Sequence, residues 1–190
     1  AYYKGEYEKA LSLFDGKRGE AAAIKNPSSE DGRGWALLAL GKPKEARDAF
    51  RSAIAMDPQF FYSSSGLAAA ESRLLLGYRQ AWVLLDLERF DEAVAMFGKA
   101  RGETPADLQW LIDDGLGWVL FFKKDYAGAE KAFAAIVAAN KDAYLSEMGL
   151  GRVALERKDF STATRHVSRS LQVNPYQVLA AYATPAAKLI

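Results

Sequence analysis

GLGWVLFFKKDYAGAEKAFAAI, residues 115–136, is answered by GLGRVALERKDFSTATRHVSRS, residues 149–170. In both stretches a small residue, Gly117 or Gly151, is followed by Ala129 or Ala163 and then by Phe133 or Val167, and the step from Gly117 to Gly151 is 34 residues. A fixed period of this length is the mark of a chain built from stacked supersecondary units.

The pattern extends in both directions. One copy reads Gly34, Ala46, Phe50, Ala53 and Pro58 around a Gly41-Lys42-Pro43 turn; the next reads Ala81, Ala93, Phe97, Ala100 and Pro105 around Glu88-Arg89-Phe90. The third continues to Ile136 and has Lys141 in place of the proline. The fourth has Ser170 and Pro175, with Lys158-Asp159-Phe160 at its turn. Gly5, Tyr7, Ala10 and Phe14 match the second half of a further copy, after which Gly16 and Gly19 interrupt the pattern.

Each residue type has a physical reason. Gly34, Ala81, Gly117 and Gly151 are small so that the helix bearing Ala46, Ala93, Ala129 or Ala163 can approach closely. Phe50, Phe97 and Phe133 fill the space between hairpins, each contributing about 1.5–3 kcal/mol on burial. Every hairpin leaves an apolar flank that only its neighbour covers, so the units stack as a quasi-one-dimensional array. Pro58, Pro105 and Pro175 end second helices because the residue before a proline is pushed out of helical geometry. Pro43 suits a first helical turn.

These four copies resemble the tetratricopeptide repeat family over nearly the whole chain. The resemblance implies an all-α fold, a right-handed superhelical solenoid of antiparallel helix-turn-helix repeats. The expected division is a partial repeat over 1–26, repeats over 27–60, 74–107, 110–143 and 144–177, an inserted or elongated helix over 61–73 and a capping helix over 178–190. The insertion follows from the interval between Gly34 and Ala81, 47 residues where the family step is 34. Ser63, Ser64 and Ser65 offer an N-cap, and one long helix is expected from about Ser64 to Leu87, bent near Gly77. The small-residue position of a further repeat falls at Thr184-Pro185, so Tyr176 to Ala183 reads as a cap or a truncated repeat.

Composition excludes several functions. Among 190 residues, 25 Lys and Arg face 24 Asp and Glu, which leaves no overall field to draw in nucleic acid or an anionic membrane. There is no cysteine, hence no disulfide, thiolate or sulfur-bound zinc, which suits cytoplasm and periplasm equally. The apolar runs Trp118 to Phe122 and Ala132 to Ala139 fall short of the roughly 20 residues that a membrane-spanning helix needs. The chain begins at Ala1 without methionine, so it is expected to be a piece of something longer.

Catalytic chemistry has no nominated residue, and neither metal nor cofactor is expected. His166 is the only histidine and reads as a lone boundary residue. Asp113-Asp114-Gly115 lacks the ligand spacing of a calcium loop. Gly115-Leu116-Gly117 and Gly149-Leu150-Gly151 are not phosphate loops, since no Gly-Lys-Ser/Thr follows. Asp91-Glu92 favours a helix N-terminus.

The resemblance places the first helices of successive hairpins along a concave groove, with the residue after each small position pointing into it: Trp35, Trp82, Trp118 and Arg152. On the same face, at helical spacing, lie Asp31 and Leu38, Tyr78 and Leu85, Asp114 and Phe121, and Met148 and Leu155. Phe122 and Tyr3 are expected nearby, and Arg79 or Arg152 is available for an acidic side chain. The partner-binding set is therefore Trp35, Leu38, Tyr78, Arg79, Trp82, Leu85, Asp114, Trp118, Phe121, Phe122, Met148 and Arg152. Exposed aromatics and arginine dominate binding energetics. A bland reading stands beside it, in which the rings pack sideways and fill a tightly wound superhelix. The family's best-known clamp grips a peptide carboxylate with lysines and asparagines; Asp31 with Trp35 and Tyr78 with Trp82 stand here instead, so a segment with apolar or aromatic anchors is expected. The function expected is a scaffold or adaptor that binds a partner protein, bacterial in the look of its repeats. A self-associating scaffold, a homo-oligomer extended through incomplete ends, is the alternative.

Overall fold

The computed structural model describes residues 6–17 and 26–174. Expectations for Ala1 to Gly5, Gly19, Pro175 and the 178–190 cap lie outside them, Tyr3 included. The described residues form ten α-helices and no strand, as the repeat pattern implies. They fall into two compact units, residues 1–76 and 77–190.

The first unit contains α1 (Tyr7–Gly16), α2 (Pro27–Ala39), α3 (Pro43–Met56) and α4 (Tyr62–Leu74). Asn26 caps α2 by accepting the Ser28 N–H at 3.1 Å, and Pro27 and Pro43 occupy first turns, where a missing N–H leaves nothing unpaired. Gly41, at φ +72°, makes the left-handed turn between α2 and α3. The core gathers Leu37, Leu38, Ala46, Ala49, Phe50 and Ala70.

Phe50 shows how the stack is held. A Cβ on Gly34 would lie 2.6 Å from its ring, and one on Gly66 would lie 2.2 Å from it, so the ring is clasped between a glycine of its own hairpin and a glycine of α4. Gly32 meets Phe14 of α1 in the same way, at 2.5 Å. The segment read as an insertion therefore packs as a first helix: Gly66-Leu67-Ala68 takes the register of Gly32-Arg33-Gly34, and 34 residues separate Gly32 from Gly66. Yet α4 buries only Ser63, Gly66, Ala70 and Leu74, and Ala68 is exposed where Gly34 is buried. No second helix of its own follows it in the chain.

The single helix expected from Ser64 to Leu87 is two helices. The break falls at Leu75 (φ −96°, ψ 14°), not at Gly77. Gly77 serves close packing, since a Cβ there would lie 3.0 Å from that of Ala100.

Next come α5 (Leu76–Asp86), α6 (Phe90–Glu103), a 3-10 turn over Ala106–Leu108, α7 (Gln109–Phe122), α8 (Tyr126–Ala139), α9 (Tyr144–Glu156) and α10 (Phe160–Val173). Glu88, Lys124 and Lys158 hold the left-handed turn positions at φ 60–64°. Asp125 and Asp159 cap the helices that follow by accepting the N–H groups of Gly128 and Thr162. These bonds, the one from the Thr162 backbone foremost, hold the Asp159 carboxyl below its ordinary range. Asn140, before Lys141, is as extended as Thr104 before Pro105 (ψ 107° and 132°), so the third copy keeps its exit without the proline. Phe133 is clasped between Gly117 and Gly149, with Cβ approaches of 2.7 and 2.6 Å, and Gly115 lies against Phe97.

Candidate functional site

Within the second unit the first helices α5, α7 and α9 carry one register of side chains. Trp82 and Trp118 sit at the same repeat position on neighbouring helices, their ring centroids 6.4 Å apart. Each stands edge-on to the phenylalanine of its own hairpin: Trp82 to Phe97 at 6.3 Å and Trp118 to Phe133 at 5.3 Å. Tyr78 meets Trp82 at 6.2 Å and Phe122 meets Trp118 at 6.0 Å. All four rings are half-buried, with one side on the core. Edge-to-face contacts of this kind add about 0.5–1.5 kcal/mol each and fix the rings in place. Met148 and Arg152, also half-buried, continue the register on α9.

In the first unit, Trp35 repeats the arrangement, edge-on to Phe50 at 5.4 Å and 37% exposed. Leu38 is core. Leu85 and Phe121 are likewise 3% and 6% exposed, so each of the three packs inside its own unit and is not presented to a partner. Arg79 is exposed but takes the register of Gly115 and Gly149, on the flank of its helix away from the rings.

Asp114, expected in the groove, is fully buried. Its Oδ1 accepts the Ser146 hydroxyl at 2.7 Å, while Oδ2 has no hydrogen-bond partner of normal geometry. Burial pushes its carboxyl up to about 7, against the opposing pull of Ser146 and Trp118. Burial, and then the nearby Asp114 charge, push the Tyr78 phenol above its ordinary value. Asp31 makes the same bond in the first unit, accepting from Ser63 at 2.8 Å. The groove aspartates thus join successive first helices.

Two features were missed in the sequence. Trp110 stands edge-on to Tyr144 at 6.5 Å. The two are 34 residues apart and two turns ahead of Trp118 and Arg152, so the period alone pairs them. His166 is not alone: its Nδ1 lies 2.7 Å from Oε2 of buried Glu147, joining α10 to α9. No period links those two positions.

A depression of about 480 Å³ lies by Glu8, Ser12, Asp15 and Lys42, and one of about 420 Å³ by Arg89, Asp91 and Lys123. Among the described residues, no cluster of acidic or histidine side chains is placed to hold a metal, and no helix is long and apolar enough to cross a membrane.

The tetratricopeptide repeat model matches residues 32–77 and 115–173, more than half of the chain. The chain belongs to the tetratricopeptide repeat family. Among solved structures it is similar to MamA 41-end from Desulfovibrio magneticus RS-1 (20% identity, 91% of this chain and 88% of that one, TM-score 0.42). It is similar also to YrrB, described as a TPR protein with an unusual peptide-binding site (19%, 94% and 83%, 0.43), and to PilW, a type IV pilus biogenesis factor (17%, 90% and 79%, 0.45). It matches no curated protein in sequence.

Proposed function

We propose that this protein is an interaction module whose recognition surface is the aromatic wall of the second unit, and that it serves as an adaptor in a larger assembly. The observation that carries this reading is the contact of Trp82 with Trp118, two half-buried indoles at one repeat position on adjacent first helices. Each ring has its edge fixed by a core phenylalanine and retains exposed surface. Rigid, half-exposed aromatics lose little conformational freedom when a partner covers them, which makes them efficient anchors. The partner best suited to this wall is a peptide or protein segment with apolar or aromatic side chains at alternate contacts, reaching from Tyr78 and Trp82 through Trp118 and Phe122 to Met148 and Arg152. Arg152 adds a cation for an acidic group. Trp35 offers the first unit a smaller anchor of the same kind.

An enzymatic reading finds no support in the wall, whose buried carboxylate is engaged by Ser146 rather than presented to solvent. Titrating a partner segment while following indole fluorescence tests the proposal. Binding is expected to shift the emission of Trp82 and Trp118 and to weaken about tenfold or more in Met148→Asp, a half-buried position at the rim. An affinity unaltered by Met148→Asp and by Arg152→Glu, with helicity retained in both, would remove the wall from recognition.

A further inference from the structure

Asp114 is a buried acid without a counter-charge. It accepts the Ser146 hydroxyl at 2.7 Å, and its Oδ2 lacks a hydrogen-bond partner of normal geometry. Burial, Ser146 and Trp118 account for its titration, and no cation among the described residues contributes to it. The adjacent Asp113, by contrast, is paired with Arg101 of α6. To tie α7 to α9 an asparagine would serve as well, since it accepts the same hydroxyl and brings no charge to bury.

Aromatic rings border that acid. Trp110 precedes it by one helical turn and Trp118 follows it by one. The Trp118 indole N–H pulls on its proton affinity from the same helix, and Tyr78 of α5 feels its charge. Tyr144 of α9 acts on Tyr78 in turn, so Tyr78, Tyr144 and Ser146 are the polar groups that the two neighbouring first helices bring to this place. Tyr78 meets Trp82 and Trp82 meets Trp118, and all three rings are half-buried. The first unit repeats the motif: Asp31 stands one turn before exposed Trp35 and accepts the Ser63 hydroxyl.

The arrangement selects among ligand chemistries. An apolar side chain laid over these rings would take the remaining water away from Asp114 and raise the cost of its charge. An anion would be repelled. A cation meets the negative ring faces and the carboxylate together, where solvent screens little. The Trp118 N–H, drawn towards the carboxylate, polarises its indole in the same sense. Arg152 holds the position of Trp118 one repeat further on, and so marks where the cationic seat ends.

We infer that the partner presents a cationic side chain, a guanidinium or an ammonium, to the exposed surface of Tyr78, Trp82 and Trp118, where those rings and the Asp114 carboxylate hold it. The inference rests on the wall being the recognition surface and names the chemistry of its central contact, which leaves apolar anchors to Phe122 and Met148. A cation favours the ionised carboxylate over the neutral one, so its binding expels the proton that Asp114 carries below about pH 7.

N-acetylarginine amide and its neutral isostere N-acetylcitrulline amide, titrated into the full chain and followed at the indole N–H resonances of Trp82 and Trp118, test this. At about pH 8.5, where Asp114 is ionised, the arginine derivative is expected to bind about tenfold more tightly than the citrulline one. Arginine keeps its charge throughout, so its affinity is expected to fall about tenfold towards pH 5.5 as Asp114 takes up its proton. Asp114→Asn keeps an acceptor for Ser146 and is expected to bind both derivatives alike at every pH, which also subtracts any other protonation between those limits. No indole shift with the arginine derivative, equal affinities for the two derivatives, an arginine affinity flat with pH, or a preference that survives Asp114→Asn would each overturn the cationic seat and leave the wall standing. Failure of the wall itself is read separately, as partner binding unaltered by Met148→Asp and Arg152→Glu.

Discussion

Phe133→Ala is expected to destabilise the second unit by about 3–5 kcal/mol, the range for emptying a large buried aromatic site. Its ring is fully buried, stands against Trp118 and is clasped by Gly117 and Gly149 from successive hairpins, so its removal loosens both contacts at once. The substitution separates the clasp from ordinary burial when combined with Gly149→Ala. Alone, that methyl would enter within 2.6 Å of the ring and is expected to cost about 1–3 kcal/mol by overpacking. With Phe133 gone, the methyl fills part of the space and its penalty should vanish or change sign. Chemical denaturation of the four proteins in the cycle measures this coupling, and strict additivity would contradict the clasp.

Asp114→Asn is expected to stabilise the protein above neutrality and to have little effect in acid. The folded carboxyl titrates at about 7, above its ordinary value of 3.8, so between those limits the folded chain binds more protons than the unfolded one. Stability from this group is therefore full below about pH 4, declines as pH rises towards 7, and levels off above it. Asparagine keeps an acceptor for the Ser146 hydroxyl and never ionises. The difference in unfolding free energy between variant and wild type, measured from pH 4 to pH 9, should grow across that window to a few kcal/mol, because a tenfold change in proton affinity is worth about 1.4 kcal/mol. The comparison cancels the opposite trend of carboxylates held low by their bonds, such as Asp159. A difference that is flat with pH would mean that Asp114 is solvated in the native state.

The repeat itself was legible because its constraints are local and periodic. Small residues, phenylalanines and turn residues recur at fixed intervals, and each has a single steric reason. The indoles were placed on the correct helices for the same reason. Their half-burial was not legible, because the position after the small residue fixes a direction and not the distance to the phenylalanine beyond it. Leu38, Leu85 and Phe121 lie one turn further along, where the neighbouring helix comes close enough to cover them. Asp114 looked like a groove residue until Ser146, 32 residues on, supplied its partner; Asp31 and Ser63 repeat that spacing, but Ser63 stood at the edge of what read as an insertion, so the pairing was passed over. Gly66-Leu67-Ala68 repeated the register of Gly32-Arg33-Gly34, but the missing second helix hid that match inside what read as an insertion.

Photo-crosslinking in the source cells, from one reactive residue at a time, tests most directly whether the aromatic wall is the recognition surface. Positions 148 and 152 lie on the wall, and position 131 is exposed on a second helix. The expected result is a common partner adduct from 148 and 152, absent from 131 and lost when an excess of unmodified protein competes. The same adduct from 131, with none from the wall, would contradict it.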